Sequence, residues 1–207
     1  MTADLDLRLA PAGTGPSEAL AISDHVELAW RPDALSLVHR NDHDRSHELR
    51  IVGKRVFTKL AFRPWYETPL ETDAHEAWLD EALRFPHDAL EAFGPALSVA
   101  AEDEHTFAIG RADPPSAEAP LVVEAAEGRF VAPEGGPIVF ELDVSFRVPA
   151  TSDADEMSGH LRVSSRIVPD ARITIAAPDA ALPYPEKTRL ELDRRTLLEG
   201  LAPLAPP

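Results

Sequence analysis

Three histidines at a four-residue spacing are the residues of this chain whose types and spacing could do chemistry. They are His39, His43 and His47, in the stretch LVHRNDHDRSHEL. Three acidic residues lie among them, namely Asp42, Asp44 and Glu48. Imidazole and carboxylate groups are common ligands of divalent metals and common general acids and bases. The stretch is therefore open to interpretation as a metal site, an acid–base site or a polar turn.

The backbone conformation of this stretch decides which histidines converge. A helix would place all three on one face. However, Asn41, Asp42 and Ser46 are poor residues for a helix interior and good residues for a turn. Strand-like patterns also flank the stretch on both sides. We therefore predict a β-hairpin in which His39 and His47 form a cross-strand pair and His43 lies near the loop apex, pointing elsewhere.

The elements that would position this pair are four alternating segments between residues 25 and 62. They read HVELAW, ALSLVH, HELRIV and RVFTKLAF, with turns at RPDA and at Gly53-Lys54. One register satisfies all three hairpins, and its cross-strand pairs include Trp30 with Leu35, Leu37 with Leu49, and Ile51 with Val56. A slip of one residue would move these side chains to the wrong face. The pattern predicts a four-stranded antiparallel meander.

This register predicts the surroundings of the two histidines. Val26, His39, His47 and Leu60 share one row on the core side, whereas His25 faces the opposite side. Such a pair, with a carboxylate from another element, could hold a divalent metal or act as an acid–base pair. It could equally line the rim of the sheet and bond to backbone or water. We favour this last interpretation and expect no metal, cofactor or catalytic residue, with His39 and His47 as the alternative metal or catalytic residues.

The whole chain predicts an α+β protein of mainly antiparallel β structure. A small helical insert is expected over about 71–94, and a second strand-rich half over about 120–193. The domain prediction has four parts: a tail or lone strand over 1–20, a β-meander with the insert over 21–112, a β-rich half over 120–202 that is separate from the first or continuous with it, and a Pro-rich tail over 203–207.

The second half also allows particular strand pairings to be predicted. IVFELDVSFRV and HLRVSSRIV pair with Leu161 opposite Phe146 and Val163 opposite Val144. LVVEAAEGRFVAP is expected to form a hairpin around Glu127-Gly128. ARITIAA and TRLELDR are expected to add two further strands.

Composition excludes several classes of function. The 207 residues carry a formal net charge of −16 and no cysteine. An acidic chain repels phosphate backbones and anionic membrane surfaces, so we expect neither nucleic acid nor membrane as a partner. Without cysteine there is no thiolate nucleophile and no disulfide. The N-terminal stretch lacks a signal-peptide pattern, so we expect a cytoplasmic protein.

A second candidate site lies in FRPWYETP, at residues 62–69. Arg63, Trp65 and Tyr66 are residue types enriched at the centres of protein interfaces. The alternative is that these side chains cover the end of the sheet where the chain turns toward the helices.

The expected function follows from these features. The sequence contains no GxSxG nucleophile elbow, no phosphate-binding GxxxxGK[ST] and no GxGxxG. Long alternating strands leave sheet edges that can pair with another chain. We therefore expect a non-enzymatic binding or assembly module that engages a protein partner or itself. The alternative is a small-molecule-binding protein or metal-dependent enzyme on a β-barrel or sandwich, with His39 and His47 lining its pocket.

Overall fold

A computed structural model provides the structure of the chain. It describes residues 1–13, 19–42, 46–70, 74–114, 121–151, 155–170 and 172–184, without the side chains at positions 74, 87 and 89. His43, the expected strand TRLELDR and the Pro-rich tail at 203–207 lie outside these ranges.

Across the described ranges, strands dominate the structure and two α-helices interrupt them. The strands are β1 (Thr2–Pro11), β2 (Leu20–Arg31), β3 (Ala34–Asn41), β4 (His47–Val52), β5 (Arg55–Leu60), β6 (Tyr66–Pro69), β7 (Leu97–Ala101), β8 (Thr106–Arg111), β9 (Val122–Val131), β10 (Ile138–Val148), β11 (Met157–Ile167) and β12 (Leu182–Pro183). The helices are α1 (Ala74–Arg84) and α2 (His87–Phe93), followed by a 3-10 turn at Gly94–Ala96. The mainly antiparallel β class and the helical insert near 71–94 are thus confirmed.

These strands form one sheet in the order β12-β6-β5-β4-β3-β2-β1-β11-β10-β9-β8-β7. All neighbouring strands are antiparallel except β12 and β6, which are parallel. The chain starts in the middle at β1, runs outward to β6, crosses through the helices to the far edge at β7, and returns strand by strand to β11 beside β1. None of the helices in the described residues is long and apolar enough to cross a membrane.

The first strand lies at the centre of the sheet. The sequence predicts a tail or lone strand over residues 1–20, whereas β1 pairs with β2 on one side and with β11 on the other. Its side chains alternate between exposed and buried, and the buried ones are Ala3, Leu5, Leu7 and Leu9. Burial of these apolar side chains holds the two halves of the sheet together.

One face of the sheet carries the core. Apolar side chains at alternate positions of the strands point to this inner face, and Ala82, Phe85 and Phe93 of the helical segment are buried in the same core. Phe93 meets Phe146 of β10 edge to face, with 4.9 Å between ring centroids. This geometry is a favourable one for an aromatic pair.

Strands β2 to β5 pair in the predicted register. Trp30 lies opposite Leu35, Leu37 opposite Leu49, and Ile51 opposite Val56. The four strands are not a separate sheet, however, because β2 continues into β1 and β5 continues into β6. The predicted four-stranded meander is therefore one part of a larger sheet.

In the second half the predicted pairings are wrong in three places. Residues 122–131 form one continuous strand rather than a hairpin at Gly128. Leu161 lies opposite Val144, and the partner of Phe146 is Gly159, so the register is displaced by two residues. The described part of ARITIAA, residues 172–177, contains no strand.

The displacement of the register has a steric cause. A Cβ atom built on Gly159 would lie 2.3 Å from Cζ of Phe146. The ring of Phe146 therefore occupies the space that only glycine leaves open above that strand. A displacement of two residues keeps every side chain on its predicted face, which explains why the alternating pattern alone did not distinguish the two registers.

Candidate functional site

The two histidines of the opening stretch form a buried cross-strand pair. His39 of β3 lies directly opposite His47 of β4, in a row with Val26 and Leu60 on the inner face. The exposed fractions are only 3% for His39 and 5% for His47. The predicted pairing is thus observed, and the hairpin rather than a helix brings the rings together.

A buried carboxylate completes the pair. Asp24 is 2% exposed, because alternation along β2 places it on the inner face with Val26. Its Oδ1 lies 2.8 Å from Nε2 of His39 and accepts a hydrogen bond from Nδ2 of Asn41 at 2.6 Å. Its Oδ2 is also buried and has no hydrogen-bond partner in the described part of the chain. Burying a carboxylate oxygen in this way is costly.

Hydrogen bonding arranges the three side chains as a linear chain. When His39 donates its Nε2–H to Asp24, the Nδ1 of the neutral ring becomes an acceptor. Nδ1 of His47 lies 3.4 Å from that atom, and the rings meet edge to face with centroids 5.1 Å apart. The result is a buried sequence of acid, imidazole and imidazole, in which both ring nitrogens of His39 are engaged.

A cleft lies beside these three side chains, at the same end of the sheet, and we call it the histidine cleft. It has a volume of about 280 Å³. This is just below the range of about 300–1,000 Å³ that is common for small-molecule pockets. Its lining includes His39, His47, Ser46, Leu60, Ala61 and Phe62.

Phe62 at the rim of the histidine cleft has an unusual environment. The residue is 97% exposed, and its backbone has a φ of 59°. It lies in a turn after β5, where the amide of Arg63 donates to the carbonyl oxygen of Leu60 at 3.0 Å. Positive φ is rare for a bulky residue, and residues in such sparsely populated backbone regions cluster at functional sites.

Charged residues on the outer side of the cleft are paired with one another. Lys59 contacts Glu48 at 2.8 Å, and Arg40 contacts Glu27. The hydrogen bond from Arg40 lowers the pKa of Glu27, while burial opposes this shift. Both carboxylates therefore compete with a ligand for these cations, which reduces the attraction of the cleft for anions.

The metal alternative has no support in the part of the chain that the structure describes. No group of three or more histidine, aspartate or glutamate side chains converges within metal-binding reach in the described ranges. The linear arrangement explains this result, since Nε2 of His39 faces Asp24 and its Nδ1 faces His47.

The predicted interface residues mostly contact their own chain. The half-buried ring of Trp65 packs against Arg50 and Lys59, whose cationic groups lie 4.9 and 5.6 Å from its centroid. The ring of Tyr66 meets that of Tyr184 at 5.8 Å. Arg63 is exposed. These contacts fit the alternative that the aromatic residues cover the end of the sheet, and an interface at Arg63 remains a prediction.

Two residues of the site were missed in the sequence. Asp24 belongs to β2 and pairs with Leu5 of β1. Extending the alternation of HVELAW by one residue toward the N-terminus places Asp24 on the inner face with Val26. Phe62 lies in the stretch FRPWYETP, where its residue type alone does not distinguish it from the neighbouring aromatic residues. Its exposure and backbone conformation depend on the turn, which the alternating pattern does not specify. His25 faces outward as predicted, and its Nδ1 lies 2.6 Å from Asp4.

Comparisons with known proteins add little to this geometry. No protein-family model and no curated protein matches the chain. Among solved structures, the di-domain ARO/CYC StfQ from the steffimycin biosynthetic pathway resembles it weakly. The similarity covers 77% of this chain and 74% of that chain, at 7% sequence identity and a TM-score of 0.16. A similarity this weak supports no conclusion about the fold or the function of this chain.

Proposed function

We propose that this chain is a binding protein and that its ligand site is the histidine cleft. The observation that carries the proposal is Phe62, a fully exposed aromatic side chain in a left-handed backbone conformation at the rim of the cleft. Both its exposure and its backbone conformation are unfavourable for an isolated protein. A ligand that stacks on the ring and fills the cleft would bury this surface and offset that cost.

The geometry favours binding over catalysis. A general base has to reach the proton that it removes, whereas His39 is buried with both ring nitrogens engaged by Asp24 and His47. The neighbouring cations are already paired with carboxylates. The ligand that fits best is a small molecule with an aromatic or apolar part, held through its contact with Phe62.

Binding of the fluorescent probe anilinonaphthalene sulfonate would test this proposal. The expected result is saturable binding that is weakened about tenfold in Phe62→Ala, because an aromatic contact and its buried area are lost. Val122→Ala is the matched control, since it removes another exposed apolar side chain, on β9, far from β3 in the sheet order. Equal affinities in wild type and Phe62→Ala, or equal weakening in both variants, would contradict the proposal.

An acid–base enzyme is the second candidate function. The observation that favours it is that hydrogen bonds connect Asp24 through His39 to His47, which lines the histidine cleft. In this function Asp24 and His39 would orient His47 for proton transfer. Hydrolysis of p-nitrophenyl acetate provides a simple test. A loss of about 100-fold in His47→Gln, with full activity in His160→Gln, would favour catalysis. Equal rates in the two variants would exclude this candidate for ester substrates.

A further inference from the structure

The outermost strand β7 leaves one edge of the sheet without a neighbouring strand in the described part of the chain. Its sequence LSVAA contains no charge, proline or glycine, and four of its five residues are exposed. Natural proteins usually protect edge strands with charges, proline, bulges or a covering segment. The opposite edge is protected in this way, because it ends in the two-residue strand β12, which contains Pro183.

The backbone groups of β7 alternate between its partner strand and the free edge. The amide of Ala112 donates to the carbonyl oxygen of Ala96, and the amide of Glu102 donates to the carbonyl oxygen of Thr106. The even-numbered residues therefore bond toward β8. The odd-numbered residues Leu97, Val99 and Ala101 therefore direct their N–H and C=O groups to the free edge. The amide of Leu97 is already used by the carbonyl oxygen of Gly94. The other groups point outward.

The side chains at this edge extend the apolar inner face. Val99 lies opposite Ile109, which in turn lies opposite Gly128 and is buried. Val99 belongs to the same row and remains 64% exposed. The apolar row thus reaches the last strand, where it stops at an uncovered valine.

We propose that β7 pairs antiparallel with β7 of a second copy of this chain, about a two-fold axis at Val99. This register places Val99 beside its counterpart and Leu97 beside Ala101 of the other copy. It forms about four backbone hydrogen bonds, two between the valines and one at each Ala101 amide. The two copies then continue as a single sheet, and each valine covers the other.

The distribution of charge suits a second copy. The acidic residues after β7, at positions 102–104, lie beyond one end of the strand. The two-fold axis places those of the two copies at opposite ends of the paired strands, so like charges do not face each other. Each chain nevertheless carries a net charge of −16. The dimer is therefore expected to tighten when salt screens this repulsion.

Sedimentation equilibrium of the full chain tests the pairing. The paired area is small compared with that of a standard interface, so we expect a dissociation constant on the order of 10 µM in 0.15 M salt. Two variants should weaken the dimer at least about tenfold. Val99→Lys places two cations side by side, and Val99→Pro removes an outward-facing N–H without touching the bonds to β8.

The matched control is Val168→Lys, which makes the same charge change at another exposed valine outside the strands. It should dimerise like the wild type. Circular dichroism melting curves establish that each variant folds. A wild-type chain that stays monomeric at 200 µM in 0.5 M salt would overturn the proposal, and so would a dimer that persists equally in both Val99 variants and in Val168→Lys.

Discussion

Replacing Asp24 by alanine is expected to lower the free energy of unfolding by about 3 kcal/mol. The carboxylate is the buried acceptor for Nε2 of His39 and for a hydrogen bond from Asn41. Its removal leaves a buried imidazole N–H without an acceptor and creates a small cavity on the inner face. Urea unfolding followed by circular dichroism measures the difference.

Two further variants give this prediction its controls. Asp33→Ala removes an exposed carboxylate that pairs with Arg31, and should cost less than about 0.5 kcal/mol. Asp24→Asn keeps an oxygen that can accept a hydrogen bond from His39. It should therefore retain most of the stability that Asp24→Ala loses. If Asp24→Ala were no less stable than Asp33→Ala, the hydrogen-bonded chain from Asp24 to His47 would contribute nothing to the fold.

Replacing Gly159 by alanine is expected to destabilise the chain by about 2–3 kcal/mol, because the new methyl group overpacks the core. It would meet the ring of Phe146 at 2.3 Å. That ring is buried and packed against Phe93, so it cannot move aside without disturbing the contact between the sheet and the helical segment.

The matched control for this substitution is Gly110→Ala. A Cβ at Gly110 meets only Oγ of Ser98 at 3.6 Å, an ordinary contact. Its effect should lie within about 0.5 kcal/mol of zero, since alanine also restricts the unfolded chain. Thermal unfolding of both variants measures the two changes in stability. Equal stability of the two would mean that Phe146 does not lie over Gly159 and that the register of β10 and β11 is different.

The strand pairing around the histidines could be predicted because three hairpins had to agree. Short turns at Pro32 and Gly53 fix the ends, and alternation fixes the faces, so a single register places Leu37, Leu49 and the two histidines inward. Between β10 and β11, fewer sequence features restrict the register. The connection between β10 and β11 is longer, and a displacement by two residues keeps the same faces, so packing of Phe146 on Gly159 decides the register.

Other parts of the structure depend on contacts between distant segments. The pattern of β1 predicts a strand, but its central position requires β11, more than 140 residues later, as a partner. Gly128 is typical of a turn, yet it lies inside β9, where a Cβ would be 2.6 Å from the carbonyl oxygen of Glu141. Close approach of a neighbouring strand requires glycine there. Asp24 is likewise an ordinary aspartate in sequence and becomes a buried acceptor only next to His39.

Histidine-selective NMR tests the histidine cleft as the binding site most directly. The chain is labelled with ¹³C-histidine, the ring signals are assigned with single histidine-to-glutamine variants, and anilinonaphthalene sulfonate is titrated in. The predicted result is a saturable shift of the His47 and His39 signals, with His25 and His160 on the outer face unchanged. Saturable binding that leaves His39 and His47 unshifted, or that shifts His25 or His160 instead, would contradict the account.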